Sequence, residues 1–463
     1  MSAIVGGNLF EDHDHVEEAI ETIGYRGTSP IQVAESREGF FLARKDLDIQ
    51  TPPGTPSGCC VAFDGLRWDC GNRFYQDFKN HGDLFIKDLD GMFSFCMMSQ
   101  DRSQVYFGRD WAGMVPLYYI LREGKIAFAS EMKVLVQHLD AVRHEIHPFP
   151  PGHYSLYDRD TGVLEHYQYY SLPVYPEVTD PPEVMSQTIR RLLEDSIAQQ
   201  ARWNAPVCVL LSGGIDSVVV AHLLKKHVSD LTALVVSMGE APRGTDDIAF
   251  ARSAAEFLEI PLHEVVVDEP TILSMIEEGI LVAEDPKLSM VSTAIPMTLL
   301  GTYAGSLGYK IAFTGEGSDG LWGSFGHIQA WFKESERFKT ERHKLVTNGY
   351  KTNIARTNKA LQYGGCVQAM FPFLYKPLAE YAMGIPPEYM NETLPVYRRV
   401  MKPLFRHAFK GDIPDDLLYR KKKTLQQGSH IEGVVKKFGE DKLRTLYDKH
   451  FPPNDSVESL FAK

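Results

Sequence analysis

Six residues, Ser212-Gly213-Gly214-Ile215-Asp216-Ser217, constrain this chain more than any others. They follow the all-apolar run at 206–211 (PVCVLL) and precede an apolar helical stretch at 217–226. A short run with no polar position is the pattern of a strand covered on both faces. Two glycines at its end open backbone conformations closed to other residues and let an anion approach the main chain. The N–H groups of the turn and of the helix start then face that anion with positive partial charge. Ser212 and Ser217 add hydroxyl donors. Asp216 would repel a phosphate unless a cation lay between them, which makes it a candidate Mg2+ ligand. The spacing differs from both GxxxxGK[ST] and GxGxxG, and the bland alternative is a plain tight turn.

The pattern continues as strand 231–237, helix 249–258, strand 262–267 and strand 310–314, which indicates an α/β domain with a parallel sheet. A second glycine-rich loop, 314–320 (TGEGSDG), follows the last of these strands. It supplies Gly315, Glu316, Ser318 and Asp319, expected at the same sheet edge as the first loop. Asp216 and Asp319 form the candidate Mg2+ pair, with a helix N-cap as the plain alternative for Asp319. Beyond about Gly315 the chain reads as mostly helical.

The first 150 residues read differently. Short apolar or alternating runs at 39–47, 59–63, 92–98 and 105–107 lie between turn residues, with a helical stretch at 16–23. A strand pair follows near 153–157 and 164–167. Three prolines in 175–182 (YPEVTDPP) mark a linker, because proline fixes φ and cannot continue a ladder. After it, Met185, Ile189, Leu192, Leu193 and Ile197 recur at helical spacing. The expected division is 1–174 and 183–463.

The 463 residues, 44% apolar and 24% charged, suit two or three soluble domains. With 61 acidic and 48 basic side chains the net charge is −13, which disfavours nucleic acid or an anionic membrane as the main partner. Six cysteines without a CxxC pair favour a reducing cytoplasm, with Cys208 packed as a small hydrophobe. No apolar run approaches the ~18 residues of a membrane span, and a signal-peptide pattern is not expected at the start. His13 and His15, two apart, point to different sides of a helix and suggest a solvated helix start rather than a metal site. His222 near Asp216 and Ser217 lacks the GxSxG context of a hydrolase triad.

Stretches along almost the whole chain resemble the asparagine synthetase family. They are DLDGMFSF at 88–95, GRDWAGMVPLY at 108–118, ASEMK at 129–133, SGGIDS at 212–217 and TGEGSD at 314–319, then RTNKA at 356–360, PFL at 372–374 and RKKKTLQQG at 420–428. The resemblance implies an α/β protein in two domains. An Ntn-type αββα glutamine amidohydrolase-like domain comes first, then an α/β ATP pyrophosphatase (adenine nucleotide α-hydrolase-like) domain. It implies ATP and Mg2+, a small-molecule carboxylate, and an amine or ammonia, with a homodimer as an allowed assembly. By the same resemblance Ser212, Gly213, Gly214, Asp216 and Ser217 would hold pyrophosphate, beside Gly315. Val236 would present backbone to adenine, and Asp319 would join Asp216 on Mg2+. Glu316 would orient or deprotonate the amine. Lys422 would stabilise the acyl-transfer intermediate, with Lys423 as the alternative register and a solvated basic face as the bland reading of 420–423.

Departures from the family shape the expected function. Its glutaminases begin Met-Cys-Gly, whereas this sequence reads Met1-Ser2-Ala3, and a serine hydroxyl is a weaker nucleophile than a thiol near neutral pH. Their Asn-Gly-Glu corresponds to Asp64-Gly65-Leu66, and their Arg-Gly-Pro-Asp to Arg26-Gly27-Thr28-Ser29. Asp64 cannot donate to an oxyanion, and Leu66 cannot hold an amino group. An arginine common in the family before the second loop is absent from 291–297 (VSTAIPM). The expectation is an AMP-forming amide synthetase without glutaminase activity, working in specialised metabolism such as antibiotic biosynthesis. Two alternatives stand beside it: an intramolecular synthetase closing a β-lactam or peptide ring, and a non-catalytic binding protein. A tRNA-thiolating enzyme would want cysteine pairs and a basic surface, which this chain lacks.

Overall fold

The alternating runs of the first half become eleven strands in two antiparallel sheets. They are β1 (Ser2–Gly7), β2 (Gln32–Glu35), β3 (Phe41–Asp46), β4 (Val61–Arg67), β5 (Gly91–Met98), β6 (Gln104–Arg109), β7 (Tyr118–Arg122), β8 (Lys125–Ala129), β9 (His147–Pro148), β10 (His153–Asp158) and β11 (Leu164–Gln168). One sheet runs β2-β3-β1-β8-β7-β9 and the other β11-β10-β6-β5-β4. Ile4, Leu42 and Phe128 of the first meet Ala62, Cys96 and Phe107 of the second in one buried layer. Helices His13–Glu21 and Met132–Leu139 cover the first sheet. Helix Phe74–His81 covers the second, with Phe74 against Phe63 and Phe95. The result is the expected αββα layering. The computed structural model describes residues 2–35, 39–46, 61–68, 74–99, 103–174, 176–239, 247–325, 334–390, 401–420 and 429–453.

After the proline-rich stretch, Pro181 and Pro182 open helix Pro182–Gln200, where a missing N–H costs nothing. Its expected apolar face, Met185, Ile189, Leu192, Leu193 and Ile197, is buried. Five parallel strands follow: β12 (Val207–Leu210), β13 (Thr232–Met238), β14 (Leu262–Val267), β15 (Ile311–Phe313) and β16 (Gln368–Met370). Their order is β14-β13-β12-β15-β16. Four of them match the expected apolar runs to within two residues. The fifth, β16, was not anticipated, because three residues within GCVQAM carry no readable period. The order reverses at β12, which pairs β13 on one side and β15 on the other. Ligands of open parallel sheets bind at such a switch point, outside the carboxyl ends of the strands.

The helix after the first loop begins at Ile215 with Gly214 as its N-cap, two residues earlier than expected. Asp216 and Ser217 therefore lie in the first helical turn. At the other end of the chain, Asp12 caps helix His13–Glu21 through His15 N–H at 2.8 Å, while His13, Asp14 and Glu17 are exposed. The helix start is solvated, as expected, and the ligand atoms of His13, Asp14 and Glu17 lie within 4.8 Å of one another there. Cys208 is fully buried on β12, and burial pushes its thiol pKa up. Among the described residues no helix is long and apolar enough to cross a membrane.

Candidate active site

Both glycine-rich loops leave neighbouring strands and touch. A Cβ on Gly315 would lie 2.9 Å from Cβ of Asp216, so only glycine lets the second loop close on the first. Gly213 has φ +68°, and a Cβ there would lie 2.5 Å from the Phe250 carbonyl carbon. Inside the first loop Ser217 Oγ donates to Gly214 O at 2.9 Å, and Gly214 N–H donates to Ser212 Oγ at 3.3 Å. Arg420 reaches back to Ser212 O at 2.7 Å, with its guanidinium 4.0 Å from the Phe250 ring centroid. Arg420 is thus buried against the loop, so the first member of the basic run 420–423 is no solvated face. Lys422 and Lys423 lie outside the described residues.

Asp216 and Asp319 converge on one cation position, and Lys402 fills it. The Lys402 ammonium lies 2.7 and 2.6 Å from the two Asp216 oxygens, 2.8 Å from Asp319 and 3.1 Å from Ser318 Oγ. Ser318 in turn donates to Asp216 at 2.6 Å, and Ser324 to Asp319 at 2.7 Å. Burial works against the Lys402 charge, but Asp216 and Asp319 outweigh it and raise its pKa above the ordinary lysine value. The N-cap alternative for Asp319 does not hold: helix Ser318–Leu321 is capped by Gly317, and Asp319 sits inside it. Two carboxylates and a hydroxyl are hard oxygen donors, the set that suits Mg2+.

Glu316 faces the same space and accepts a hydrogen bond from Asn353 Nδ2 at 2.7 Å. Asn353 opens helix Asn353–Gly365, one turn before Arg356. Arg356 is buried, donates to Met290 Sδ at 2.9 Å, and has no hydrogen-bond partner at Nε. Burial lowers its pKa to about 10, against the pull of Glu316 and Asp285.

These groups line one cavity of about 390 Å3, together with Ser212, Gly214, Ser217, Val236 and Gly315. Its apolar wall includes Leu210, Leu234, Met290, Met297 and Phe325. Among its described lining residues are four cations, Arg356, Lys402, Arg406 and Arg420, against three carboxylates, Asp216, Glu316 and Asp319. In a chain of net charge −13, the described part of this wall carries one more positive than negative side chain. Of the residues expected at the site and lying among the described ones, Gly213 and Ser318 are not in the wall: Gly213 makes the turn itself, and Ser318 bonds Asp216 and Lys402. Lys402, Arg406, Arg420 and Asn353 join this wall without being expected there from the sequence. A lone lysine before a proline, 186 residues from Asp216, carries no local signal of its place.

In the first domain Asp64 is fully buried and accepts from Arg26 at 2.9 Å, and Arg26 also pairs with Glu131 at 3.1 Å. Leu66 is buried on the same strand.

The asparagine synthase family model matches residues 188–348 and 324–462, and a glutamine amidotransferase domain model matches 74–169. The asparagine synthetase (glutamine-hydrolyzing) of Zea mays is 30% identical over 399 residues, 82% of this chain and 66% of that protein. Asparagine synthetase 3 of Arabidopsis thaliana is 29% identical over 375 residues, 77% of this chain and 62% of that protein. Asparagine synthetase B of Escherichia coli is 28% identical over 369 residues, 76% of this chain and 63% of that protein. The aligned part thus spans a little under two thirds of these relatives.

Proposed function

Since this chain belongs to the asparagine synthase family, we propose that it is an ATP-dependent carboxylate–amine ligase. It adenylates a carboxylate with release of pyrophosphate, then forms an amide with release of AMP. The observation that carries this reading is the convergence of Asp216, Asp319 and Lys402 under the glycine loop, with Glu316 and Asn353 in the same cavity. Loop N–H groups, Ser212 and Ser217 bind phosphate oxygens. Asp216, Asp319 and Ser318 would hold Mg2+ in place of the Lys402 ammonium, which would turn toward the phosphates, and the ion when bound would offset the charge of the triphosphate and the departing pyrophosphate. Without the metal Lys402 keeps the two carboxylates neutralised, and it lies in the cavity wall as a donor to a bound phosphate. Val236, at the end of β13, offers backbone to the adenine.

Glu316 accepts the proton of the attacking amine, and Asn353 fixes the carboxylate that does so. Lys422 supports the tetrahedral intermediate from the segment after Arg420.

Glutamine is not the nitrogen source in this reading. An asparagine at position 64 could donate to an oxyanion; Asp64 only accepts, and Arg26 already occupies it. Ammonia or an amine substrate takes that part. The apolar wall and the missing arginine at 291–297 favour a carboxylate other than aspartate, as in specialised metabolism.

The test is pyrophosphate release with ATP and Mg2+ across amino acids and their derivatives, each with and without ammonium or hydroxylamine, using Asp216→Asn as the inactive control. Carboxylate-dependent release above that control is expected. Release with no carboxylate in the panel, or equal release by the control, overturns the reading.

A further inference from the structure

Between the two domains lies a buried line of alternating charge. Asp64, Arg26, Glu131, Lys133, Glu284 and Lys359 follow one another, three acids and three bases in strict alternation. Arg26 spans Asp64 at 2.9 Å and Glu131 at 3.1 Å. Lys133 Nζ lies 2.8 Å from Glu131, and its main-chain N–H donates to Glu284 at 2.9 Å. Lys359 closes the line on Glu284 at 2.7 Å. Tyr25 OH, from beside Arg26, donates to Glu131 at 2.7 Å and accepts from Lys133 at 3.0 Å.

The first four charged residues belong to the amidotransferase-like domain and the last two to the synthetase-like domain. Every side chain in the line is at most 6% exposed. Charges so buried are retained only when paired, and well-packed hydrophobic residues in place of such a set are often as stabilising or more so. Stability alone does not account for them.

The geometry at the far end does. Lys359 sits on helix Asn353–Gly365, whose first turns carry Asn353 to Glu316 and Arg356 into the cavity wall. Asn358 of the same helix donates to Met114 O of the first domain at 2.9 Å. Glu284, the acceptor for both domains, caps its own helix in the left-handed region at φ 53°, so its side chain direction is set by the turn. Burial alone would raise the pKa of Glu131; Lys133, Arg26 and Lys359 outweigh it and hold it down at about 2.

We propose that this ion line is a positioning device, through which the amidotransferase-like domain sets the register of helix Asn353–Gly365 and so the placement of Asn353 and Arg356 in the synthetase cavity. The functional part of the proposal rests on the ligase reading above. It assigns the first domain a task other than hydrolysing glutamine: it completes the synthetase site from behind. Glu131, Lys133, Glu284 and Lys359 are positioning residues that touch no substrate.

Hydrogen exchange on the full chain, read by mass spectrometry, tests the coupling without a substrate. Glu131→Gln, made in the first domain, is expected to speed exchange of amides 353–365 by ~5-fold relative to those of β12 and β13, within the range carried by packed networks. Lys359→Met should do the same, and the two together should add little to either alone. Unchanged exchange at 353–365 in Glu131→Gln overturns the proposal, since Lys359 would then be a local contact only. If single variants fail to fold, the double variant Glu284→Leu with Lys359→Met leaves no orphan charge in that pair, and the same acceleration is required of it. In turnover, hydroxamate formed from hydroxylamine per pyrophosphate released should fall in Glu131→Gln, with thermal stability measured alongside. A fall in stability with an unchanged ratio also refutes positioning. Wild type that releases no pyrophosphate with any carboxylate would sink the ligase reading, while the exchange result still decides the coupling.

Discussion

Lys402→Met is the sharpest test of the site. Methionine matches the lysine stem in length but leaves Asp216 and Asp319 without the ammonium that touches both. Removing one partner of a buried ion pair costs ~3–5 kcal/mol. Here the lysine side chain is 2% exposed but the carboxylates are 21% and 28% exposed, so water relieves part of the cost and the low end applies. A loss of ~3 kcal/mol, at roughly 2–4 °C per kcal/mol for a unit of this size, lowers the melting temperature by about 6–12 °C. Mg2+ should reverse much of that, because a cation bound between the two carboxylates restores their balance in the variant. The measurement is thermal melting of both proteins with EDTA and with millimolar Mg2+. The pH dependence has a definite sign. A raised lysine pKa gives stability that is fully present below the ordinary value of 10.5 and lost only as pH climbs through the higher folded value. The gap between the two proteins should therefore stay flat from neutral pH to about 9. A variant that melts like wild type in EDTA, or a deficit that Mg2+ leaves untouched, would refute the idea that Lys402 occupies the cation position.

Three further outcomes concern the amide-forming steps and the nitrogen source. Glu316→Gln should still exchange labelled pyrophosphate into ATP with the carboxylate yet make little amide; product at the normal rate would reduce Glu316 to a structural role. Lys422→Ala should lower amide formation by at least ~10²-fold, the usual loss for one oxyanion-stabilising group, whereas damage confined to Lys423→Ala would shift the register by one, and two healthy variants would end the lysine assignment. Glutamine should not serve as nitrogen donor, checked by glutamate release; release that matches amide formation mole for mole would show that Asp64 has not disabled the first domain.

The readable parts of this protein were those written locally. An apolar run, two glycines and an amphipathic stretch specify strand, turn and helix within about twenty residues, because strand burial and glycine's φ range act on neighbours in sequence. The same kind of information placed the second loop beside the first: parallel strands joined by helices leave both loops at one sheet edge. Helix start errors of two residues, as at Ile215, come from capping by Gly214, which lacks a side chain to announce it.

What tertiary structure alone decided is how charges are paired. Asp216 and Asp319 were legible as a cation pair, but Lys402 between them was not, since it arrives from 186 residues along the chain. Asn353, 37 residues beyond Glu316, and Arg420, 208 residues beyond Ser212, are of the same kind. Asp64 read from sequence as a lost oxyanion donor; its partner Arg26, and the line onward through Glu131, Lys133, Glu284 and Lys359, exist only once both domains are packed. The physical reason is one of range. Backbone preference and hydrophobic period are properties of a short window of chain, whereas the energy of a buried charge depends on whatever partner the whole fold brings within about 3 Å of it.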